Sequence, residues 1–195
     1  DGTGIDVPAA MSWVAEHRTL QGFGPGDRVT NEELLELDCE VLVPAAIDAA
    51  NPVPVLAAGG IGDGRGLAAA LTMGCVGAWV GTRFLATDEG GALEINKRKI
   101  VKSNDEGTRV STAYTGKTLR ASYNGYHDLW EGSGLEPLPF PTQIVISSAL
   151  LAGFIESGQE DFVGGLAGQV SGIIQSVKPA AQVLEEMVAE TVEIL

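Results

Sequence analysis

The stretch VLAAGGIGDGRGLAAALTMGCVGAWVGTRFL, residues 55–85, decides the fold of this chain. Its two apolar runs, within residues 53–58 and 77–84, predict strands. Between them, Asp63 is placed to cap a helix and Gly74 is placed to end it. A strand, a glycine turn, a helix and a second strand form a βαβ unit. Such a unit predicts parallel pairing of its strands.

Two glycine turns lie one such unit apart, where each predicted strand ends. Gly59 and Gly60 end the first strand and open the helix, and Gly81 and Thr82 lie at the end of the second. A phosphate is held by converging backbone N–H groups without Cβ atoms in the way, and adjacent strand ends of a (β/α) barrel commonly supply them. The pair therefore indicates a phosphate site, with ordinary turn chemistry as the alternative. The glycine spacing of GGIGDG departs from G-x-G-x-x-G, so a dinucleotide-binding turn is not supported.

Outside this stretch, the sequence predicts four helices and one strand. Residues 7–16 form a short helix, and Thr30 begins a second helix with a capping box. An apolar run over residues 39–47 predicts a buried strand that is bent at Pro44. EINKRKIVKSNDE, residues 94–106, predicts a third helix. The tail predicts an amphipathic helix with an acidic outer face, whose inner positions are Val183, Leu184, Met187, Val188, Thr191 and Val192.

Composition limits the partners that we expect. The chain has 195 residues, of which 45% are apolar, and no apolar run long enough to span a membrane. A formal net charge of −14 disfavours a nucleic-acid partner. The charge fits either simple solubility or adaptation to high salt, which screens self-repulsion. Cys39 and Cys75 have neither metal-ligand nor disulfide spacing, so we expect no metal site, buried thiols and a reducing, cytoplasmic compartment.

The glycine stretch also carries a family resemblance. Together with YTGKTLRASYNGYHDLWE, PLPFPTQ and LAGQVSGII, it resembles the nitronate monooxygenase (2-nitropropane dioxygenase-like) family. The flavin-dependent enoyl-acyl-carrier-protein reductases share the same barrel and much of the motif. The resemblance covers about residues 47–195. It implies an α/β fold, the C-terminal part of an incomplete (β/α)8 TIM barrel that binds FMN. This barrel portion is expected to span residues 48–195. It includes a helical, lid-like region at about residues 105–165 and a C-terminal helix.

The resemblance implies a site by position. It assigns FMN contacts to six residues: Gly59, Gly60, Val80, Gly81, Thr82 and Gln169. It assigns no catalytic residue, because the family's base is a histidine flanked by glycines. Neither His17 nor His127 has that setting, so we expect both to be surface or structural histidines.

The first 47 residues show a different resemblance. VTNEELLELDCEVLVPAAI, within residues 1–47, resembles part of the cofactor domain of glutamate dehydrogenase, without its dinucleotide fingerprint or substrate lysines. We therefore expect a Rossmann-like fragment ahead of the barrel portion, and a chain that is chimeric or rearranged. The hypothesis that the chain is an amino-acid dehydrogenase depends on these residues alone, and it is the weakest of the alternatives.

The resemblance predicts an FMN-dependent oxidoreductase that oxidises nitronates, as small-molecule substrates, with dioxygen. An FMN-dependent enoyl-acyl-carrier-protein reductase is one alternative. A non-catalytic truncated or chimeric remnant is another, because a TIM barrel typically takes about 250 residues. An incomplete barrel leaves strand edges unpaired, so we also expect self-association through open sheet edges. Walls for the flavin ring would come from the absent strands, so we expect weak or no FMN binding by this chain alone.

Overall fold

The computed structural model describes residues 42–195, which form a mixed α/β fold. The strands are β1 (Leu56–Ala58), β2 (Gly77–Trp79), β3 (Thr108–Ser111) and β4 (Leu119–Ser122). The helices are α1 (Leu42–Ala50), α2 (Gly64–Thr72), α3 (Thr82–Leu85), α4 (Glu94–Lys102), α5 (Gly125–Ser133), α6 (Thr142–Glu156) and α7 (Ala180–Ile194). Two 3₁₀ turns span Glu160–Phe162 and Gln169–Ile173. The helices predicted at residues 7–16 and from Thr30 lie outside the described residues, as does most of the Rossmann-like fragment.

The described residues group into two compact units. The first unit contains residues 42–57 and Ala69–Ala78, and the second contains Ala58–Ala68 and Trp79–Leu195. β1, α2 and β2 follow one another in the predicted order, and the two strands are neighbours in one two-stranded sheet. None of the helices described over residues 42–195 is long and apolar enough to cross a membrane.

Helix α1, in the first unit, corrects the strand predicted over residues 39–47. Residues 42–50 are helical, and residues 39–41 lie outside the described part of the chain. Pro44 falls in the first turn of α1, where a helix does not need the missing N–H. Alanines, the strongest helix formers, follow it in LVPAAIDAA. An apolar run with this composition is therefore compatible with a helix as well as with a buried strand.

The end of α2 confirms the predicted stop signal. α2 ends at Thr72, and Gly74 has φ of +100°, a conformation that favours glycine. An ideal Cβ on Gly74 would lie 3.5 Å from Ile47 Cδ1, so the turn packs against α1. Cys75 follows it and is buried, as predicted. The N–H of Val76 then donates to the Val55 carbonyl at 3.0 Å, beside the β1–β2 pair.

The second predicted strand is shorter than expected. β2 ends at Trp79, and Thr82–Leu85 forms the short helix α3, so the prediction of a strand over residues 77–84 is wrong beyond Trp79. The buried Arg83 side chain explains the change of direction. Its guanidinium donates to the carbonyls of Ala86 at 2.6 Å and of Ser176 at 2.8 Å. These bonds hold the chain in a tight turn that an extended strand could not make.

The second unit has two apolar clusters. One joins α4 to the second 3₁₀ turn through Ala86, Ile100, Ala167, Val170 and Ile174. The predicted helices α4 and α7 are confirmed, although α4 ends at Lys102 and does not reach residue 106. In α7, the predicted inner face is half correct. Three of its six residues, Val183, Met187 and Thr191, are buried, whereas Leu184, Val188 and Val192 are exposed.

The second cluster lies in the region predicted as a lid. β3 and β4 pair antiparallel with Thr108 opposite Ser122, a hairpin that the sequence interpretation missed. Ala113, Tyr114, Ala121 and Tyr126 form the cluster beside it. This part of the chain therefore has a core of its own. Its role as a lid stays a prediction.

Candidate functional site

The first glycine turn presents bare backbone to open space. Gly59 and Gly60 have φ of +92° and +72°, conformations that side chains rarely adopt. An ideal Cβ on either residue would meet no atom within 4 Å. Within residues 42–195, neither backbone N–H has a hydrogen-bond acceptor. Both donors are therefore free to bind a ligand.

The N-terminus of α2 is already occupied by carboxylates of the chain. Asp63 Oδ1 accepts from the N–H of Gly66 at 3.1 Å, which confirms the predicted cap. Glu190 of α7 reaches across, and its Oε2 accepts from the N–H of Gly64 at 2.7 Å. Burial pushes the pKa of Asp63 upward, but hydrogen bonds from Arg65 and Gly66 outweigh burial and hold that pKa below its ordinary value. An anion near the N-terminus of α2 would therefore bind to the N–H groups of Gly59 and Gly60 and not to those of α2.

The second turn presents bare backbone for a different reason. Gly81 has φ of −101°, which any residue can adopt, and an ideal Cβ on it would meet no atom within 4 Å. Neither backbone conformation nor packing within the described residues requires glycine here. Its N–H and that of Thr82 have no acceptor in this part of the chain. Because Gly81 has no Cβ, a ligand could approach its backbone closely.

The second 3₁₀ turn and the residue before it contact Thr82 of the second glycine turn and Gly62, two residues after the first. The N–H of Gly168, which precedes it, donates to Thr82 Oγ1 at 3.0 Å. On the other side, an ideal Cβ on Gly62 would lie only 2.6 Å from Val170 Cγ2, so the chain two residues after the first glycine turn packs against the same segment. Gly59, Gly60, Gly81 and Thr82 thus lie in or close to segments that contact the second 3₁₀ turn. Gln169 is the first residue of that 3₁₀ turn, and Val80 directly precedes Gly81. These positions are consistent with one site, and the FMN contacts themselves stay a prediction.

Gln169 begins this 3₁₀ turn with an exposed side chain. Its Nε2 donates to the carbonyl of Asp105 at 3.3 Å. The bond anchors Gln169 to the loop after α4. Its side-chain oxygen has no partner among the described residues.

Arg83, beside the second turn, has a structural role that the sequence did not reveal. Burial lowers its pKa, and the charge of Glu186 opposes that shift. Its Nε has no hydrogen-bond partner within residues 42–195, while one outer nitrogen, Nη2, donates to the carbonyls of both Ala86 and Ser176. Arg83 is therefore buried and stabilises the turn through these hydrogen bonds, and its charge does not face solvent.

His127 is a buried structural residue, and His17 lies outside the described residues. The His127 side chain is 1% exposed and packs against Tyr114, with ring centroids 5.3 Å apart, and Tyr123, at 5.7 Å. Neither ring nitrogen has a hydrogen-bond partner in this part of the chain, and burial lowers the pKa of His127. The prediction of a structural histidine is thus confirmed for His127, and for His17 it stays a prediction. No group of three metal-ligating side chains lies within the described residues.

The family follows from comparison with known proteins. The model of the nitronate monooxygenase family matches residues 9–190. The chain belongs to the nitronate monooxygenase family. The probable nitronate monooxygenase of Bacillus subtilis is 33% identical over 153 residues, which cover 78% of this chain and 44% of that protein. That of Staphylococcus saprophyticus is 35% identical over 155 residues, which cover 79% of this chain and 43% of that protein.

Solved structures agree with this family. Nitroalkane oxidase from Streptomyces ansochromogenes superposes with a TM-score of 0.68 at 33% identity, over 78% of this chain and 43% of that one. FabK from Thermotoga maritima superposes with a TM-score of 0.63 at 31% identity, over 79% of this chain and 49% of that one. The chain thus spans less than half the length of the nitronate monooxygenase relatives named above. The family match also includes residues 9–47, most of the segment that resembles glutamate dehydrogenase. A chimeric origin stays a prediction.

Proposed function

We propose that this chain carries the FMN phosphate site of a nitronate monooxygenase. Gly81 carries the proposal, because its missing Cβ serves neither the backbone nor any packing contact among the described residues. A flavin phosphate beside it explains why bare backbone is needed. The proposed contacts are Gly59, Gly60, Val80, Gly81, Thr82 and Gln169.

Each turn would contribute a different set of donors. The free N–H groups of Gly59 and Gly60 would donate from one side, and those of Gly81 and Thr82 from the other. Thr82 Oγ1 already accepts from Gly168, which leaves its hydroxyl proton for a phosphate oxygen. When bound, FMN would supply the redox chemistry by which a nitronate is oxidised with dioxygen.

The substitution Gly81→Ala tests the site without disturbing the fold. The negative φ of residue 81 accommodates alanine, whose Cβ would meet no atom within 4 Å among residues 42–195, so the melting temperature should not change. Loss of a phosphate hydrogen bond should weaken FMN binding about tenfold or more. Gly91→Ala is the matched control, because Gly91 is also exposed, with open space around its Cβ position.

Quenching of flavin fluorescence measures the affinity, with FMN and riboflavin titrated in parallel. Riboflavin lacks the phosphate, so the chain should prefer FMN, and Gly81→Ala should remove most of that preference. Equal affinity for FMN and riboflavin would contradict the proposal. So would a Gly81→Ala variant that binds FMN as tightly as the Gly91→Ala control. Binding in the weak range is expected, since the chain spans less than half of its relatives' length.

An FMN-dependent enoyl-acyl-carrier-protein reductase is the second candidate, favoured by the superposition with FabK of Thermotoga maritima. Oxygen uptake with a nitronate and oxidation of a nicotinamide cofactor with an enoyl thioester separate the two activities. Nitronate-dependent oxygen uptake alone supports the first candidate. A chain that binds no flavin under any condition would support the remaining alternative, a non-catalytic remnant.

A further inference from the structure

A cavity of about 520 Å³ lies between the end of α4 and the start of α5, and none of its lining residues is one of the proposed FMN contacts. Its volume is within the range of small-molecule sites. The residues that line it are Lys99, Lys102, Ser103, Asn104, Gly107, Ser122, Tyr123, Asn124, Gly125, Asp128 and Asp161. Almost all of them are polar, charged or glycine. Such a lining offers several charged and hydrogen-bonding groups to a charged, water-soluble ligand.

The floor of the cavity contains a hydroxyl that nothing in the chain uses. Ser122 is 4% exposed, and its Oγ has no hydrogen-bond partner among the described residues. Ser122 is one of the residues that line the cavity, so a ligand there could reach its hydroxyl. A buried hydroxyl normally finds a partner, because leaving one unpaired costs free energy. A bound ligand would supply it.

Two more donors stand beside this hydroxyl. Gly125 is the first residue of α5, and its N–H has no acceptor in the described part of the chain, unlike the next N–H, which Asn124 caps. Lys102 also lines the cavity, is exposed, and forms no ion pair with any described residue. Lys99, one turn earlier, instead donates to the carbonyls of Glu160 and Val163. The unused donors Ser122, Gly125 and Lys102 together fit a carboxylate.

Two carboxylates balance the two lysines of the lining. Asp128 accepts a hydrogen bond from the Tyr123 hydroxyl, and Asp161 makes no hydrogen bond with a described residue. With Lys99 and Lys102, these residues bring the charge of the lining to zero. A simple anion would meet repulsion from both carboxylates in a chain that already carries a charge of −14. A ligand that carries both signs avoids this repulsion.

We propose that this cavity binds a small zwitterion, an aminocarboxylate. Its carboxylate accepts from Lys102, the Ser122 hydroxyl and the Gly125 N–H, and its ammonium group faces Asp128 and Asp161. The site is separate from the FMN contacts, and it does not depend on the proposed oxidoreductase activity.

Isothermal titration calorimetry of the full chain with three ligands of one length tests the charge requirement. 4-Aminobutyrate carries both charges, butyrate only the negative one and butylamine only the positive one. We expect 4-aminobutyrate to bind at least about tenfold more tightly than either, as the loss of one charged hydrogen bond predicts. Butyrate binding as tightly as 4-aminobutyrate would overturn the proposal, as would no detectable heat with 4-aminobutyrate at about 10 mM.

Variants tie the binding to the cavity. Lys102→Gln should weaken 4-aminobutyrate binding about tenfold, while Lys117→Gln, at an exposed lysine outside the cavity, should leave it unchanged. Ser122→Ala gives a sharper test, since the hydroxyl has no protein partner to lose. That variant should keep the wild-type melting temperature and still bind more weakly. Wild-type affinity in both Lys102→Gln and Ser122→Ala would overturn the proposal.

Discussion

Gly64→Ala and Gly153→Ala should change stability in opposite directions, although both replace a glycine in a helix. Gly64 is the first residue of α2, where the chain packs against α7. An ideal Cβ there would lie 2.6 Å from the Met187 carbonyl oxygen, 2.6 Å from Glu190 Cβ and 2.8 Å from the Thr191 nitrogen. Two of these atoms belong to the α7 backbone, so they cannot rotate away. Gly153 lies inside α6, where an added Cβ would meet nothing within 4 Å.

The magnitude follows from three effects. Forcing a methyl group into packed backbone costs about 1–3 kcal/mol. Displacing Gly64 also weakens the 2.7 Å hydrogen bond from its N–H to Glu190, a bond to a charged group that is worth about 1.5–3 kcal/mol. The better helix propensity of alanine returns at most about 1 kcal/mol. We therefore expect Gly64→Ala to lower the free energy of unfolding by about 2–4 kcal/mol. Gly153→Ala should raise it by about 0.5–1 kcal/mol.

Urea denaturation followed by circular dichroism measures both variants. At this chain length, the loss in Gly64→Ala should lower the melting temperature by roughly 4–16 °C. The slope of free energy against urea should stay constant, which shows that the unfolded state has not changed. If Gly64→Ala is as stable as the wild type while Gly153→Ala gains stability, the tight contact between α2 and α7 is refuted.

Two further predictions concern charge. Burial lowers the pKa of His127 in the folded chain below the ordinary value of 6.5, so the unfolded chain binds a proton first as pH falls. Stability should thus be constant above pH 6.5 and decline below it, and His127→Phe should show a shallower decline between pH 7 and 5.5 in thermal melts. A variant with the wild-type slope would exclude His127 as the cause. If the charge of −14 reflects adaptation to high salt, the melting temperature should rise in about 1 M potassium chloride, where charges are screened within about 3 Å. No gain would leave solubility as the explanation.

Local signals were predictable from the sequence. Asp63 caps α2 and Gly74 ends it because both effects need only the residue and its immediate neighbours. The tail helix was predictable for the same reason, from spacing alone. Its buried face was only half predictable, because Leu184 and Val188 have the same apolar character as the buried Val183 and Met187. What distinguishes them is the position of the rest of the chain, which no local pattern contains.

The sequence predictions were wrong where a distant contact determined the local structure or where the local pattern was ambiguous. Thr82–Leu85 turns into a helix because Arg83 finds the carbonyl of Ser176, more than ninety residues later in the chain. The β3–β4 hairpin was not predicted, because its segment has many polar and aromatic residues and no clear alternation of apolar with polar positions. The helix over residues 42–50 was read as a strand because a short apolar run fits either structure.

The glycines of residues 55–85 serve different purposes that only the structure separates. Gly62 and Gly64 lie where a Cβ would collide with α7 or the second 3₁₀ turn, so packing requires them. Gly59 and Gly60 have positive φ, so the backbone requires them. Gly81 is required by neither within the described residues. A substitution that is harmless to folding at Gly81 can therefore be harmful only to a ligand. This makes Gly81, among the predicted contacts, the position where loss of binding and loss of structure separate most cleanly.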